Sequence, residues 1–236
     1  MPTASNEEPL GPPRVHPRAF ALLASLAEHN AQAWFATHRE AFLAEVRRPF
    51  GAILTRASEA LQRTLFPVQG GPATVFMHSR DLLGGEDTRP YTEFVAGVLT
   101  PSGHLVGRGA VVYIQLNADG GHVSAGFYRP TPSEIDAIRR RMVAEPEFFR
   151  AALYDLAQAD LTLSAETTLT TLPSTFAHLR GHEFEHYLRL PSLSVVQPIP
   201  KETWVRGEAA AYIVAHVRMC EKLLRFGHGA IATPVT

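Results

Sequence analysis

Apolar positions recur at helical spacing through the first quarter of the chain. Phe20, Leu22, Leu23 and Leu26 form one stripe, and Trp34, Phe35, Phe42, Leu43 and Val46 form a second. A third helix is predicted to begin at Pro49 and to carry Ile53, Leu54, Ala57 and Leu61. Around Gly70, Gly71 and Pro72 the period shortens. Four extended segments are predicted next, at residues 74–78, 91–99, 110–116 and 122–128, separated by Gly-rich loops of hairpin length. Thr131-Pro-Ser-Glu134 then reads as a capping box, with a helix to about Ala144 burying Ile135, Ile138 and Met142. Another helix is expected from Pro146 to about Gln158. Residues 161–173 are Thr-rich and β-prone, and residues 193–199 read as a further strand. A final helix from about Arg206 to Phe226 should stop at Gly227.

Helices, a strand meander, then helices define an α+β class, with an antiparallel sheet of about four to six strands packed by N-terminal and C-terminal helices. Residues 1–16, polar and rich in Pro and Gly, are expected to form a flexible N-terminal segment, and residues 17–236 a single α+β domain.

Composition narrows the function classes. The 236 residues are 45% hydrophobic and carry formal net charge −1, which argues against general nucleic-acid binding. Only Lys201 and Lys222 are lysines, so fixed positive charge here means arginine. The single cysteine, Cys220, excludes an internal disulfide framework and a Cys-rich zinc module, and it should be an inert buried thiol. No apolar run has the length of a membrane span, and the first residues lack the pattern of a signal peptide. A soluble, cytoplasmic protein without membrane partners is expected.

Two constellations could carry chemistry. The first is the loop from Ser79 to Tyr91, which gathers Arg80, Asp81, Gly84, Gly85, Asp87 and Arg89. Arginine offers a planar fork of donors for phosphate or carboxylate, and paired glycines let a backbone approach a ligand. The competing reading is that Arg80 and Asp81 brace a surface loop through ion pairs. The second is Gly181-His182-Glu183-Phe184-Glu185-His186, a literal H-E-x-x-H. On a helix this spacing would put His182 and His186 on one face for zinc, with Glu183 activating a bound water. Against it stand the extra charge of Glu185, the early Pro191, and the lack of an extended motif. A surface helix with incidental histidines is the alternative. His78, His104, His122 and His178 lack ligand spacing, and Trp34 and Phe35 read as core anchors.

Four segments in order carry a resemblance. Asn30-Ala-Gln-Ala-Trp34-Phe35-Ala-Thr-His-Arg39 is one, and Arg80, Asp81, Asp87, Pro90 and Tyr91 form the second. Gly126-Phe-Tyr128-Arg-Pro130 with the following Ile138-Arg139 is the third. His182, Tyr187, Leu188, Arg189 and Ser192 form the fourth. Over about residues 20–200 the chain resembles the bacterial and fungal family called domain of unknown function 2461. The family brings no established activity. Its loop R-F-S-K is Leu83-Gly-Gly-Glu86 here, and family lysines are replaced by Thr88, Thr92 and Pro191. If the family pattern forms a basic pocket, much of its cationic charge is absent, with Arg89 one position from a lost lysine.

The leading expectation is a site for a small phosphate or carboxylate ligand lined by Arg80, Asp81, Asp87, Arg89, Tyr91, Tyr128 and Arg129, should the loop fold back beside residues 126–130. No cofactor is expected in that case, and a protein is the other partner class. One alternative is a non-catalytic interaction or scaffold protein with a degenerate family site. Another is a zinc-dependent hydrolase using His182, Glu183 and His186. Whether the protein is an enzyme is left open.

Overall fold

A computed structural model describes residues 11–77, 89–105 and 109–232. The chain enters through an extended stretch whose Val15 is buried and donates its N–H to Trp204 O at 3.1 Å. The described part of the lead-in, residues 11–16, is therefore tied down, because an apolar side chain has a core to enter; the rest of the expected flexible segment lies outside the described residues. His16 caps α1 (Pro17–Glu28), and α2 (Gln32–Phe42) follows. A π-helical turn, Leu43–Arg47, then runs directly into α3 (Arg48–Leu61). Arg48 N–H reaches back five residues to Leu43 O. Its successor Pro49 has no N–H and would crowd the carbonyl four residues earlier, so the helix widens by one residue instead of ending.

Five strands make one antiparallel sheet in the order β1-β2-β3-β4-β5: β1 (Val75–Phe76), β2 (Val95–Leu99), β3 (Val111–Asn117), β4 (Gly120–Phe127) and β5 (Leu193–Pro198). Between β4 and β5 come α4 (Pro132–Ala144), α5 (Pro146–Gln158) and the single turn α6 (Glu185–Leu188). After β5 follow α7 (Lys201–Val205), α8 (Ala209–Met219) and α9 (Glu221–Ala232). The α+β class and the antiparallel sheet stand as expected. Thr131 and Glu134 form the reciprocal capping box that starts α4.

Strand alternation defines the two faces. Val112, Ile114 and Leu116 of β3 are buried, while Val111, Tyr113, Gln115 and Asn117 between them are half-exposed. The buried face packs on helices: α1 meets β3, α3 meets β2, and α7, α8 and α9 meet β4. Gly97 lets α3 come close, since a Cβ there would sit 2.4 Å from Leu54 Cδ1. Three expectations need correction. Residues 161–173 form no strand, although Ser164 N–H donates to Ser194 O at the free edge of β5. β1 is only two residues long. The last helix is split at Cys220 and then continues through Gly227 to Ala232.

No helix among the described residues is long and apolar enough to cross a membrane.

Candidate functional site

Of the loop singled out in the sequence, Arg80, Asp81 and Asp87 lie outside the described residues. Its returning end is built against α2. The Asn30 side chain clamps the main chain of Tyr91 from both sides: Nδ2 donates to Tyr91 O at 2.8 Å, and Oδ1 accepts from Tyr91 N–H at 3.0 Å. Phe35 stacks on the Tyr91 ring with centroids 4.5 Å apart, and packs on Phe42 behind it. Arg89 pairs with Glu93. The first two segments of the resemblance thus meet, and there Asn30, Phe35 and Tyr91 hold structure. Trp34 stacks on His38 at 4.1 Å on the flank of the same helix.

Tyr128 and Arg129 stand elsewhere. Val95 at the start of β2 aligns with Leu116 and Gly121, whereas Leu99 aligns with Val112 and Ala125. Tyr91 precedes the first of these rows and Tyr128 lies beyond the second, so the register sets them at opposite ends of the strands. The single concavity expected to join Arg89 and Tyr91 with Tyr128 and Arg129 is not formed by the described residues. Strand direction, which local spacing does not specify, decides this.

Around Arg129 gather Arg139 and the stretch from Arg189 to Ser192, parts of the third and fourth segments of the resemblance. Arg129 takes a left-handed backbone, φ 46°, unusual for a residue with a side chain. Its N–H donates to Ser192 Oγ at 3.1 Å, and its guanidinium lies 5.3 Å from the centroid of the exposed Tyr128 ring. From α4, Arg139 reaches the same segment: Nη2 donates to Leu190 O at 3.0 Å while Nη1 pairs with Asp136 at 2.9 Å. Arg139 is only 4% exposed. Its Nε, and the Nε of Arg189, are buried with no acceptor. Burying a donor unpaired costs free energy, so such groups call for an explanation. Arg189 itself, the Arg139 guanidinium at Leu190 O and the Arg129 main chain at Ser192 thus bring three arginines to the four residues from Arg189 to Ser192. Arg139 and Arg189 were missed as site residues, though both stood in segments that carry the resemblance.

From this corner the face of the sheet away from the helices runs past Tyr113, Gln115 and His122. The Tyr113 hydroxyl donates to Gln115 Oε1 at 2.9 Å, and its ring lies 5.6 Å from that of His122 and 6.3 Å from Phe76. Burial, helped by the nearby Tyr128, pushes the Tyr113 hydroxyl up to about 12. Burial also lowers the pKa of His122, opposed by Glu166. At neutral pH this surface presents uncharged hydroxyl and imidazole groups beside a cationic corner.

The H-E-x-x-H segment is not a helix over its length. α6 begins only at Glu185, and His182 precedes it, its Nδ1 accepting from Phe184 N–H at 3.1 Å. Glu183 accepts two hydrogen bonds from Arg150, at 3.0 and 2.7 Å, which hold its carboxyl below the usual range. Gly181, at φ 80°, breaks the chain direction just upstream. The helical arrangement the zinc reading requires is absent, and no group of three potential ligands occurs among the described residues.

These features define an α+β protein whose five-stranded meander carries helices on one face and an arginine-rich corner at one end of the other. The chain belongs to the family described as conserved hypothetical protein (DUF2461), whose model matches residues 18–226. No curated protein and no solved structure matches it.

Proposed function

We propose that the protein binds a small anionic ligand, a phosphate or a carboxylate, at the corner formed by Tyr128, Arg129, Arg139, Arg189 and Ser192. One observation carries the reading. Of the three arginines only Arg139 meets a carboxylate among the described residues, so the exposed Arg129 and the half-buried Arg189 keep their charge for a ligand. Planar donors with unspent capacity suit a multidentate anion. Arg139, locked by Asp136 and Leu190 O, acts as the fixed wall, while Arg129 and Tyr128 are exposed enough to meet a ligand from solvent. Tyr113 and His122 offer neutral polar contacts to whatever the anionic group is attached to. Arg80 and Arg89 of the loop are the competing anchor for the same class of ligand.

A thermal-shift and calorimetry panel on the full chain, with inorganic phosphate, a sugar phosphate and a dicarboxylate, tests this. A ligand at about 100 times its Kd adds roughly 2.7 kcal/mol of stability. We expect Arg129→Ala and Arg189→Ala to abolish the gain, and Arg80→Ala with Arg89→Ala to leave it; the opposite result moves the site to the loop.

A second reading, an interaction protein that has lost its family's ligand, is favoured by the other cluster. There Arg89 is paired with Glu93 and Tyr91 is clamped by Asn30, so the retained residues serve the fold. A flat panel would select it.

A further inference from the structure

A groove of about 870 Å³ runs along α3 and shares no lining residue with the corner. Arg48, Ala52, Arg56 and Glu59 follow one another at intervals of four, four and three, so all lie on one face of the helix. They are exposed, and at 1.5 Å per residue they span about 17 Å. Leu43 and Pro72 add apolar surface beside Ala52. At one end Arg47, from the π-helical turn, gives Nη2 to a neutral acceptor, Val75 O, at 3.2 Å. Among the described residues neither Arg47 nor Arg48 meets a carboxylate; Arg56 meets only Glu59, at 3.6 Å on the surface, where such a pair contributes little. A chain of net charge −1 thus concentrates three arginines on one apolar-floored groove.

We propose that this groove docks an acidic peptide segment of a partner protein in extended conformation. Arg48 and Arg56 are eight residues apart, about 12 Å along the axis, farther than one phosphate or carboxylate reaches. A strand advancing 3.4 Å per residue covers the groove with about five residues. Only every second side chain of the strand, about 6.8 Å apart, faces the groove, so a carboxylate, an apolar side chain and a carboxylate at alternate positions meet Arg48, the Ala52, Leu43 and Pro72 surface, and Arg56 in turn. Glu59 closes the far end to negative charge and so fixes the peptide's placement by repulsion.

The test is fluorescence anisotropy of the full chain with a fluorescein-labelled peptide Glu-Ser-Leu-Ser-Glu, beside its counterpart with lysine in place of both glutamates. We expect saturable binding of the acidic peptide alone, weakened roughly tenfold by Arg48→Glu combined with Arg56→Glu. Both side chains are exposed, and circular dichroism checks that the variant folds. Binding should also weaken as salt rises to about 0.3 M. No saturable binding, equal binding of the lysine peptide, or indifference to the double substitution would each overturn the proposal. So would displacement by inorganic phosphate at matched ionic strength, which would make the groove a small-anion site. Dimers that the same substitutions dissolve would assign it to a second copy of this chain and overturn it likewise. Phosphate stabilisation lost in Arg129→Ala tests the corner separately, so the two readings fail independently.

Discussion

His216 sits on α8 with no exposed surface and faces β5. Its Nε2 lies 3.1 Å from Val195 O, which can only accept, so Nε2 carries the ring proton. Gln197 Oε1 stands 3.1 Å from Nδ1; a neutral ring protonated on Nε2 has only a lone pair there, so the Gln197 amide turns over to present its N–H to Nδ1. Burial drives the pKa of this imidazole down to about 4, and burial likewise pushes the neighbouring Cys220 thiol up to about 12. The consequence for stability has a definite sign. Between about pH 6.5 and 4 the unfolded histidine binds a proton that the folded one refuses, so stability falls as the pH drops through that window. The loss is about 3 kcal/mol when complete. Urea unfolding at pH 7, 6, 5 and 4 should show it, and His216→Gln should flatten this part of the profile; parallel profiles would refute the assignment. Cys220 was legible in the sequence as a buried thiol because its helical neighbours are apolar. The H-E-x-x-H pattern misled for the converse reason: the spacing matches a zinc motif, but Gly181 and the turn at His182 deny it the helix.

At the scale of elements, a glycine read as a stop turns out to be a contact. Gly227 lies within α9, and a Cβ there would come 2.3 Å from Cε2 and 2.4 Å from Cζ of Phe127. Phe127 is a buried ring at the end of β4 with no room to swing. Glycine here permits the helix to approach the sheet, a requirement set by tertiary packing and invisible to local pattern. Overpacking costs about 1–3 kcal/mol, against roughly 1 kcal/mol gained from helix propensity, so Gly227→Ala should destabilise the protein by up to about 2 kcal/mol. Adding Phe127→Leu should recover part of the loss, measured as a non-additive double-mutant cycle in denaturant. Simple additivity would mean that α9 does not rest on that ring. Elsewhere the elements were legible where local chemistry sufficed. The capping box at Thr131 started α4, and strict alternation from Val111 to Asn117 gave β3 its two faces. Residues 161–173 have strand propensity, but the backbone bonds they donate outside the segment are isolated ones, Leu161 to Leu156 O, Ser164 to Ser194 O and Leu169 to Arg189 O, to three different places.

For the molecule as a whole, described residues from the four segments of the resemblance fall into two clusters at opposite ends of the sheet, one around Asn30 and Tyr91 and one around Arg129, Arg139 and Ser192. The corner near Arg129 leaves guanidinium donors unspent, whereas near Asn30 the Asn30 amide and the Phe35 ring are spent on holding Tyr91, and Arg89 on Glu93. Sequence order could collect these residues but not sort them, because the sorting depends on which end of each strand they flank. The Asn30 clamp makes the division testable. An asparagine side chain has one donor end and one acceptor end, and Tyr91 presents one of each. Asn30→Ala removes both bonds, at a cost of about 1–3 kcal/mol. Asn30→Asp keeps the acceptor for Tyr91 N–H but sets a carboxylate oxygen against Tyr91 O, so it should rescue little. Thermal unfolding and hydrogen exchange at the Tyr91 amide read the two variants: lost protection in both, with phosphate stabilisation preserved, is expected if the clamp serves the fold and the corner serves the ligand. Loss of the phosphate response in Asn30→Ala would instead couple the two ends of the sheet and return Arg80 and Arg89 to the binding site.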